Sequence, residues 1–193
     1  YKTVIFGLKT SLYQNLTPFD MRIKNHILNT GAVGTRKITS KLRARIRDKE
    51  SNANKQYKLR TMCNELSYVD YTPTLNHEYV GDDYPKLLQK YTASIAATSY
   101  CYTTKYLEIP AAGCLTFMEV TDANYARDLG FIDNETAIFI NEKNYQSKFE
   151  EYLSDVDNKK WEEIANSGRK FVMDNLTNDH AVNNLVELMT ELI

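Results

Sequence analysis

A short polar segment, Thr103-Thr104-Lys105, stands directly before a run that contains Glu108 and ends at Gly113. The pattern predicts a helix over Lys105–Ala112, so Lys105 and Glu108, three residues apart, share one helical face. Two hydroxyls and an ammonium at a helix start suit a diphosphate, and a carboxylate one turn later suits the diol of a ribose. An ordinary Lys–Glu surface pair accounts for the same spacing. The spacing alone leaves both interpretations open.

A second candidate is the turn Gly31-Ala-Val-Gly34-Thr35, between a predicted strand and a predicted basic helix. Glycines let the backbone approach a ligand closely, and the N–H groups of such a loop favour an anion. The G-x-x-G pattern is neither the full dinucleotide fingerprint nor a P-loop, and turn geometry alone also explains it. Gly31, Gly34 and Thr35 are therefore candidate binding residues with an unspecific motif.

The remaining polar residues give little support to metal or nucleophile chemistry. The acidic pair Asp82-Asp83 precedes Tyr84-Pro85 at a predicted helix start, where capping explains it better than a divalent ion does. The three histidines lack the spacing of a ligand set or a catalytic triad. Cys63, Cys101 and Cys114 show no C-x-x-C spacing, which indicates reduced thiols and a cytoplasmic location. No metal and no cofactor is expected.

Strands and helices alternate along the chain and would position these residues. The predicted strands are Tyr1–Leu8, Ile23–Val33, Thr92–Thr98, Cys114–Val120 and Glu135–Asn141. The predicted helices run from Thr39 or Ser40 to Glu50, from Asp82 to Lys90, and over Lys105–Ala112, Ala123–Leu129, Tyr145–Leu153, Trp161–Asn175 and His180–Ile193. This alternation predicts an α/β fold with a parallel sheet and helices on both faces.

Two segments carry more specific expectations. Lys58–Asn64 is a short mixed segment in which a strand is possible. The last helix is amphipathic, and its apolar residues are expected to face a core: Val182, Leu185, Val186, Leu188, Met189 and Leu192.

The composition is that of one globular domain, with 193 residues of which 42% are hydrophobic and 25% charged. No apolar stretch approaches the roughly 18 residues that a membrane helix needs. Residues 1–60 carry 14 Lys and Arg against 3 Asp and Glu, whereas residues 61–193 carry 10 against 22. This asymmetry favours an anionic partner for the first third: phosphate groups, nucleic acid or a membrane surface. A solvated basic helix explains it as well.

A family resemblance follows from the segment Lys105-Tyr-Leu-Glu-Ile-Pro-Ala-Ala-Gly-Cys-Leu. It resembles the helix-and-glycine segment of GT-B glycosyltransferases, in the group 1 and spore-maturation-protein-like branch. Asp128-Leu-Gly-Phe131, Ile164-Ala-Asn-Ser-Gly-Arg169 and the helix start at Thr177 are similar to that family's C-terminal tail. Ile27-Leu-Asn-Thr-Gly31 is similar to the first strand and glycine turn of its C-terminal lobe. The resemblance covers about residues 21–193.

The resemblance implies roles for several of the candidate residues. The glutamate matching Glu108 holds the ribose of the donor, and the residues before it, here Thr103, Thr104 and Lys105, meet the diphosphate. Lys105 would stabilise the leaving group. Many retaining relatives carry an acidic residue eight positions before this glutamate, but this chain has Tyr100 there.

Two functional hypotheses follow from the sequence. In the first, residues 21–193 form the Rossmann-like C-terminal lobe of a GT-B glycosyltransferase, and residues 1–20 are the tail of a preceding lobe or a linker. This lobe binds a nucleoside-diphosphate sugar as co-substrate, and a missing N-terminal lobe holds a glycan, lipid-linked or protein acceptor. No nucleic acid partner is expected, and the piece alone should have little or no activity. In the second, the chain is a non-catalytic module whose basic face docks on nucleic acid or an anionic membrane.

Overall fold

The computed structural model of the chain describes residues 8–34, 53–73 and 78–190. The predicted strand over Tyr1–Leu8, apart from Leu8 itself, and the predicted basic helix ending at Glu50 lie outside the described residues. Thr35 and His77 lie outside them as well.

The described strands form one parallel sheet. They are β1 (Ile23–Thr30), β2 (Val69–Thr72), β3 (Tyr91–Ala96), β4 (Leu115–Glu119) and β5 (Ile138–Ile140), in the spatial order β2-β1-β3-β4-β5. Ile27 of β1 pairs with Val69 of β2 on one side and with Ala93 of β3 on the other. Central strands buried on both faces need continuous apolar runs, and all five residues of β4 are buried. The four strands predicted in the described regions, β1, β3, β4 and β5, are confirmed, whereas β2 was not predicted.

Helices cover both faces of this sheet. They are α1 (Ala53–Gln56), α2 (Lys58–Cys63), α3 (Tyr84–Leu88), α4 (Lys105–Ala111), α5 (Tyr145–Ser154), α6 (Lys159–Asn175) and α7 (Asn178–Thr190). Successive strand residues point to opposite faces. Accordingly, Met118 of β4 belongs to the core cluster that includes Ile109 of α4, whereas its neighbour Phe117 packs in the other cluster, with Phe149 of α5. The predicted α/β class with helices on both faces is confirmed.

Residues 8–21 pack against the same core as the rest of the domain. Leu8 and Tyr13 are buried in the cluster that contains Ile109. The backbone carbonyl of Leu8 accepts a hydrogen bond from the N–H of Asn178 at 3.2 Å, and the carbonyl of Tyr13 accepts one from Arg169 Nη2 at 2.7 Å. This segment therefore stabilises the C-terminal helices.

The segment Lys58–Asn64, for which the sequence allowed a strand, is helical. Leu59 and Cys63 are both fully buried, four residues apart, which places them on one helical face toward β1 and β2. The segment is too short for its sequence to show a clear helical period, so the packing partner decides its conformation.

The predicted burial of the last helix is wrong. Val182, Leu185, Val186 and Met189 are 49%, 41%, 56% and 59% exposed, and Leu188 is half-buried, while Leu192 lies outside the described residues. Ala181, near the helix start, is its buried residue. An amphipathic pattern shows that a helix has an apolar face, but it does not show which other element, if any, packs against that face.

Helix α6 approaches the chain before β5 so closely that Gly168 has no room for a side chain. A Cβ atom there would lie 2.3 Å from the backbone oxygen of Thr136. We expect Gly168→Ala to lower the free energy of unfolding by about 1–3 kcal/mol, although alanine favours a helix. Urea unfolding measures this change. Ser167→Ala, at the exposed neighbouring position, should stay within about 0.5 kcal/mol of the wild type, and equal stability of the two variants would contradict the prediction.

Candidate functional site

A cavity of about 490 Å³ lies beside the carboxyl end of β1. The chain order reverses at this point of the sheet, because β2 lies on one side of β1 and β3 on the other. Ligands of open parallel sheets bind outside the carboxyl ends of the strands at such a point. The predicted site residues that line the cavity are Gly31, Thr103, Thr104, Lys105 and Glu108. The fold thus brings both sequence candidates, the glycine turn and the start of α4, to one place.

The side chain of Lys105 lines this cavity. Its Nζ donates hydrogen bonds to Thr30 Oγ1 at 2.7 Å and to Tyr84 Oη at 3.0 Å. Nζ also lies 4.7 Å from the centre of the Tyr84 ring. Within the described ranges, no carboxylate lies within 4.0 Å of Nζ, so the interpretation as a surface Lys–Glu pair is wrong.

Burial changes the protonation of Lys105. Burial, and to a smaller extent the nearby positive charge of Arg60, lowers the pKa of Lys105 to about 7 from its usual 10.5. The carboxylate of Glu108 acts in the opposite direction but does not compensate. An anion at this place would restore the charge of the ammonium.

Glu108 lies one turn further along α4, on the cavity wall. It is half-buried, and its Oε2 accepts a hydrogen bond from Thr104 Oγ1 at 3.1 Å. Burial raises the pKa of Glu108, while the Thr104 hydrogen bond and Lys105 lower it. A carboxylate has about four acceptor sites, so Glu108 retains capacity for about three further donors, enough for both hydroxyls of a ribose.

The two threonines before α4 differ in their hydrogen bonds. Thr104 is exposed and bonds to Glu108. Thr103 Oγ1 is buried and has no hydrogen-bond partner, although the residue lines the cavity. A buried hydroxyl without a partner costs free energy, and a ligand oxygen in the cavity would remove that cost.

The glycine turn contributes through Gly31 and not through Gly34. Gly31 adopts a left-handed backbone with φ of +93°, and a Cβ atom there would lie 2.9 Å from Arg60 Nη2 and 3.1 Å from Lys105 Cε. Its N–H donates to the carbonyl of Thr72 at 2.9 Å. The sequence predicted that the N–H of Gly31 would face an anion, but this N–H is bonded to Thr72. Gly31 instead provides space for the side chains of Arg60 and Lys105.

Gly34 has a packing role. Its N–H donates to Thr61 Oγ1 at 2.7 Å, and a Cβ atom there would lie 2.2 Å from Asn54 Oδ1. The residue is not part of the cavity lining. Its predicted ligand contact is therefore replaced by contacts with α1 and α2, and Thr35 lies outside the described residues.

Arg60, Thr30 and Tyr84 also belong to the site, although their positions in the sequence did not predict it. Arg60 is buried on α2, its Nε donates to Asn29 Oδ1 at 3.1 Å, and it lines the cavity beside Gly31. Thr30 and Tyr84 hydrogen-bond to each other at 2.7 Å and hold Lys105 between them. Nothing in the spacing distinguishes Arg60 from the other basic residues of the first third. The segment is too short for a helical period to show that Arg60 lies on a buried helix, so only the packing of α2 reveals its position.

The residues set aside on sequence grounds form surface contacts. Asp82 pairs with Lys9 at 3.3 Å and Asp83 with Lys86 at 2.5 Å. Asp83 makes no side-chain capping bond to α3, so the predicted cap is replaced by this ion pair. His26 Nδ1 lies 2.9 Å from Asp70 Oδ1 on the neighbouring strand. In the part of the chain that the structure describes, no three His, Cys, Asp or Glu side chains are grouped as metal ligands would be.

A known protein family matches the sequence of this chain, and solved structures share its fold. Residues 38–187 match the glycosyl transferase-like family. The fold is similar to a glycosyltransferase from Rickettsia africae, at 14% identity and a TM-score of 0.64, over 97% of this chain and 56% of that one. It is similar to Anabaena Alr3699/HepE in complex with UDP, at 11% identity and a TM-score of 0.63, over 96% of this chain and 56% of that one.

A third similar structure is the sucrose-phosphate synthase of Thermosynechococcus elongatus, at 13% identity and a TM-score of 0.62, over 98% of this chain and 52% of that one. The chain thus spans about half the length of these structures, and at such identities the likeness establishes the Rossmann-like fold. No curated protein sequence matches the chain. None of the helices in the described ranges has the length and apolar character needed to cross a membrane.

Proposed function

The chain belongs to the glycosyl transferase-like family, and on that basis we propose that it binds the nucleoside-diphosphate sugar donor of a glycosyl transfer. The observation that carries this proposal is the position of Lys105. Its ammonium lies in the cavity at the reversal point of the sheet, bonded to the hydroxyls of Thr30 and Tyr84 and to no carboxylate of the described residues. A cation held in this way suits an anionic ligand.

The donor diphosphate would lie against Lys105, Thr103 and Thr104. When the bond between the sugar and the diphosphate breaks, negative charge develops on the leaving phosphate oxygen. Lys105 would stabilise that charge by a charge-assisted hydrogen bond, and the unpartnered hydroxyl of Thr103 would donate a second bond. Glu108, one helical turn away, would accept hydrogen bonds from the ribose hydroxyls.

Uridine is the first nucleoside to test, because Alr3699/HepE has been solved with UDP and with UDP-glucose. The acceptor would be a glycan, a lipid-linked glycan or a protein, held by an N-terminal lobe. The chain alone should therefore bind the donor but transfer little or no sugar. Membership of the spore-maturation-protein-like branch and a cytoplasmic location stay predictions.

Calorimetry with UDP-, GDP-, ADP- and TDP-sugars tests the proposal. We expect saturable binding of at least one of them at millimolar concentration or below. Absence of binding for the whole panel would overturn the proposed function. Lys105→Met should weaken the observed binding about tenfold or more through the loss of one charge-assisted bond, while the exposed-lysine control Lys170→Met should leave it unchanged.

Docking on nucleic acid or a membrane predicts a different salt dependence. A polyanion-binding face would lose affinity steeply between about 50 and 200 mM salt, whereas a donor site with one or two cationic contacts would lose far less. Arg22 and Arg60, which belong to the basic first third, are buried and hence not available for such a face.

A further inference from the structure

Arg60 is a buried cation that the proposed donor site has not yet used. Its side chain is 2% exposed, and its Nη2 has no hydrogen-bond partner. No carboxylate of the described residues lies within 4.0 Å of its guanidinium. An arginine stays charged at neutral pH, and a buried charge without a counter-ion is costly. The unliganded protein therefore carries a buried positive charge on Arg60 that no carboxylate of the described residues pairs with.

The geometry also shows where that partner would lie. A single point above Gly31, where a Cβ atom would stand, is 2.9 Å from Arg60 Nη2 and 3.3 Å from Lys105 Nζ. The two cations thus come together on one face of a glycine, in the wall of one cavity. Like charges repel, so Arg60 helps to lower the pKa of Lys105, and an anion between or beside the two groups would offset this repulsion.

Asn29 holds Arg60 in this position. Its Oδ1 accepts a hydrogen bond from Arg60 Nε at 3.1 Å, and its Nδ2 donates to the backbone carbonyl of Arg60 at 3.1 Å. Asn29 is itself fully buried on β1. Because Nε is used by Asn29, the outer end of the guanidinium is directed at Gly31 and the cavity. The ring of Tyr57 lies 5.4 Å from the guanidinium carbon and lines the same cavity.

We propose that Arg60 is a second diphosphate-binding residue of this site, that it acts together with Lys105, and that Asn29 is its positioning residue. The proposal rests on the proposed donor site and assigns it a residue from α2 that the family resemblance did not indicate. In the bound state, Arg60 would donate to one phosphate group and Lys105 to the same or the neighbouring one. A planar guanidinium suits the paired oxygens of a phosphate.

The test uses inorganic pyrophosphate, which has neither ribose nor base, beside the best nucleotide sugar of the panel. We expect Arg60→Met to weaken the binding of both ligands about tenfold or more. Arg60→Lys should recover part of the loss, because it keeps the charge. Arg127→Met, which removes an exposed arginine, is the control and should bind like the wild type.

Thermal unfolding separates a binding role from a purely structural one. Replacing an unpaired buried charge by an apolar side chain of similar size is often neutral or stabilising. The unliganded Arg60→Met protein should therefore melt close to the wild type, while the increase in melting temperature on adding pyrophosphate is lost. Unchanged ligand affinity in both Arg60 variants would overturn the proposal, as would equal affinity losses in Arg127→Met. If Arg60→Met does not fold, Arg60→Lys alone tests the proposal: weaker binding of pyrophosphate supports it, and unchanged binding overturns it.

Asn29→Asp tests the positioning role. A carboxylate at this place would pair with the guanidinium and compete with the phosphate, so pyrophosphate affinity should fall while the protein remains folded. Unaltered affinity in this folded variant would show that Asn29 does not position Arg60. The proposed donor binding and the proposed role of Arg60 can fail separately. If nucleotide sugars bind independently of Arg60, only the role of Arg60 is overturned. If pyrophosphate binding depends on Arg60 but no nucleotide sugar binds, only the donor binding is overturned.

Discussion

Replacing Glu108 by alanine should weaken nucleotide binding about a hundredfold or more. A carboxylate that accepts hydrogen bonds from both ribose hydroxyls contributes about 1.5–3 kcal/mol per charge-assisted bond. The free energy of unfolding of the unliganded protein should change by less than about 1 kcal/mol, because the mutation removes only the hydrogen bond from Thr104. Calorimetry measures the affinity and urea unfolding the stability. Glu163→Ala, an exposed glutamate on α6, is the matched control.

A nucleotide without ribose hydroxyls tests the assignment directly. A 2′,3′-dideoxy nucleotide should bind the wild type poorly and lose little further affinity in Glu108→Ala, because the bonds that the mutation removes are already missing. Equal affinity of the wild type for ribo- and dideoxy-nucleotides would show that Glu108 does not contact the ribose.

The affinity for a nucleoside-diphosphate sugar should fall as the pH rises above 7. The pKa of Lys105 is about 7 in the free protein, and a bound diphosphate raises it, so binding takes up a proton above that pH. The loss approaches tenfold per pH unit, or about 50-fold between pH 7 and 9. The ligand itself has no phosphate proton that titrates in this range. Calorimetry in buffers of different ionisation enthalpy should detect the proton that is taken up.

The variant Lys105→Arg controls for other titrating groups. An arginine stays charged throughout this range, so its affinity should be nearly independent of pH between 7 and 9. A wild-type affinity that does not change with pH, or an identical decline in Lys105→Arg, would contradict the prediction. Without ligand, the free energy of unfolding should increase with pH, in contrast to the ligand affinity. The unfolded chain binds the Lys105 proton more tightly than the folded protein does, so the folded state gains stability as the pH rises from 7 toward 10.5.

The two cations in the cavity give these predictions a common physical basis. Burial lowers the pKa of Lys105 because no carboxylate of the described residues lies close enough to its ammonium to compensate, and Arg60 lowers it further. A site that holds two cations and an unpartnered Thr103 hydroxyl is organised before its ligand arrives. In the proposed function, such preorganisation would stabilise the charge on a leaving diphosphate.

Local sequence patterns determined most of the elements that carry the site. The runs Thr92–Thr98 and Cys114–Val120 are rich in apolar and small residues, which is typical of buried parallel strands, and both strands are present. The helix after Thr104 begins at Lys105, as predicted, with Glu108 one turn later. These features depend on neighbours within a few residues along the chain, and periodicity records such neighbours.

The tertiary structure decided which of these residues meet. Lys105 contacts Thr30, 75 residues earlier, and Tyr84, 21 residues earlier, because parallel strands bring their carboxyl ends to one edge. Arg60 reaches the same cavity through Asn29 of β1. The strand order, and with it the side of β1 on which the cavity opens, follows from packing between elements far apart in sequence. The exposed apolar residues of α7 have the same cause: a helical period records which side chains share a face, and only packing determines what covers that face.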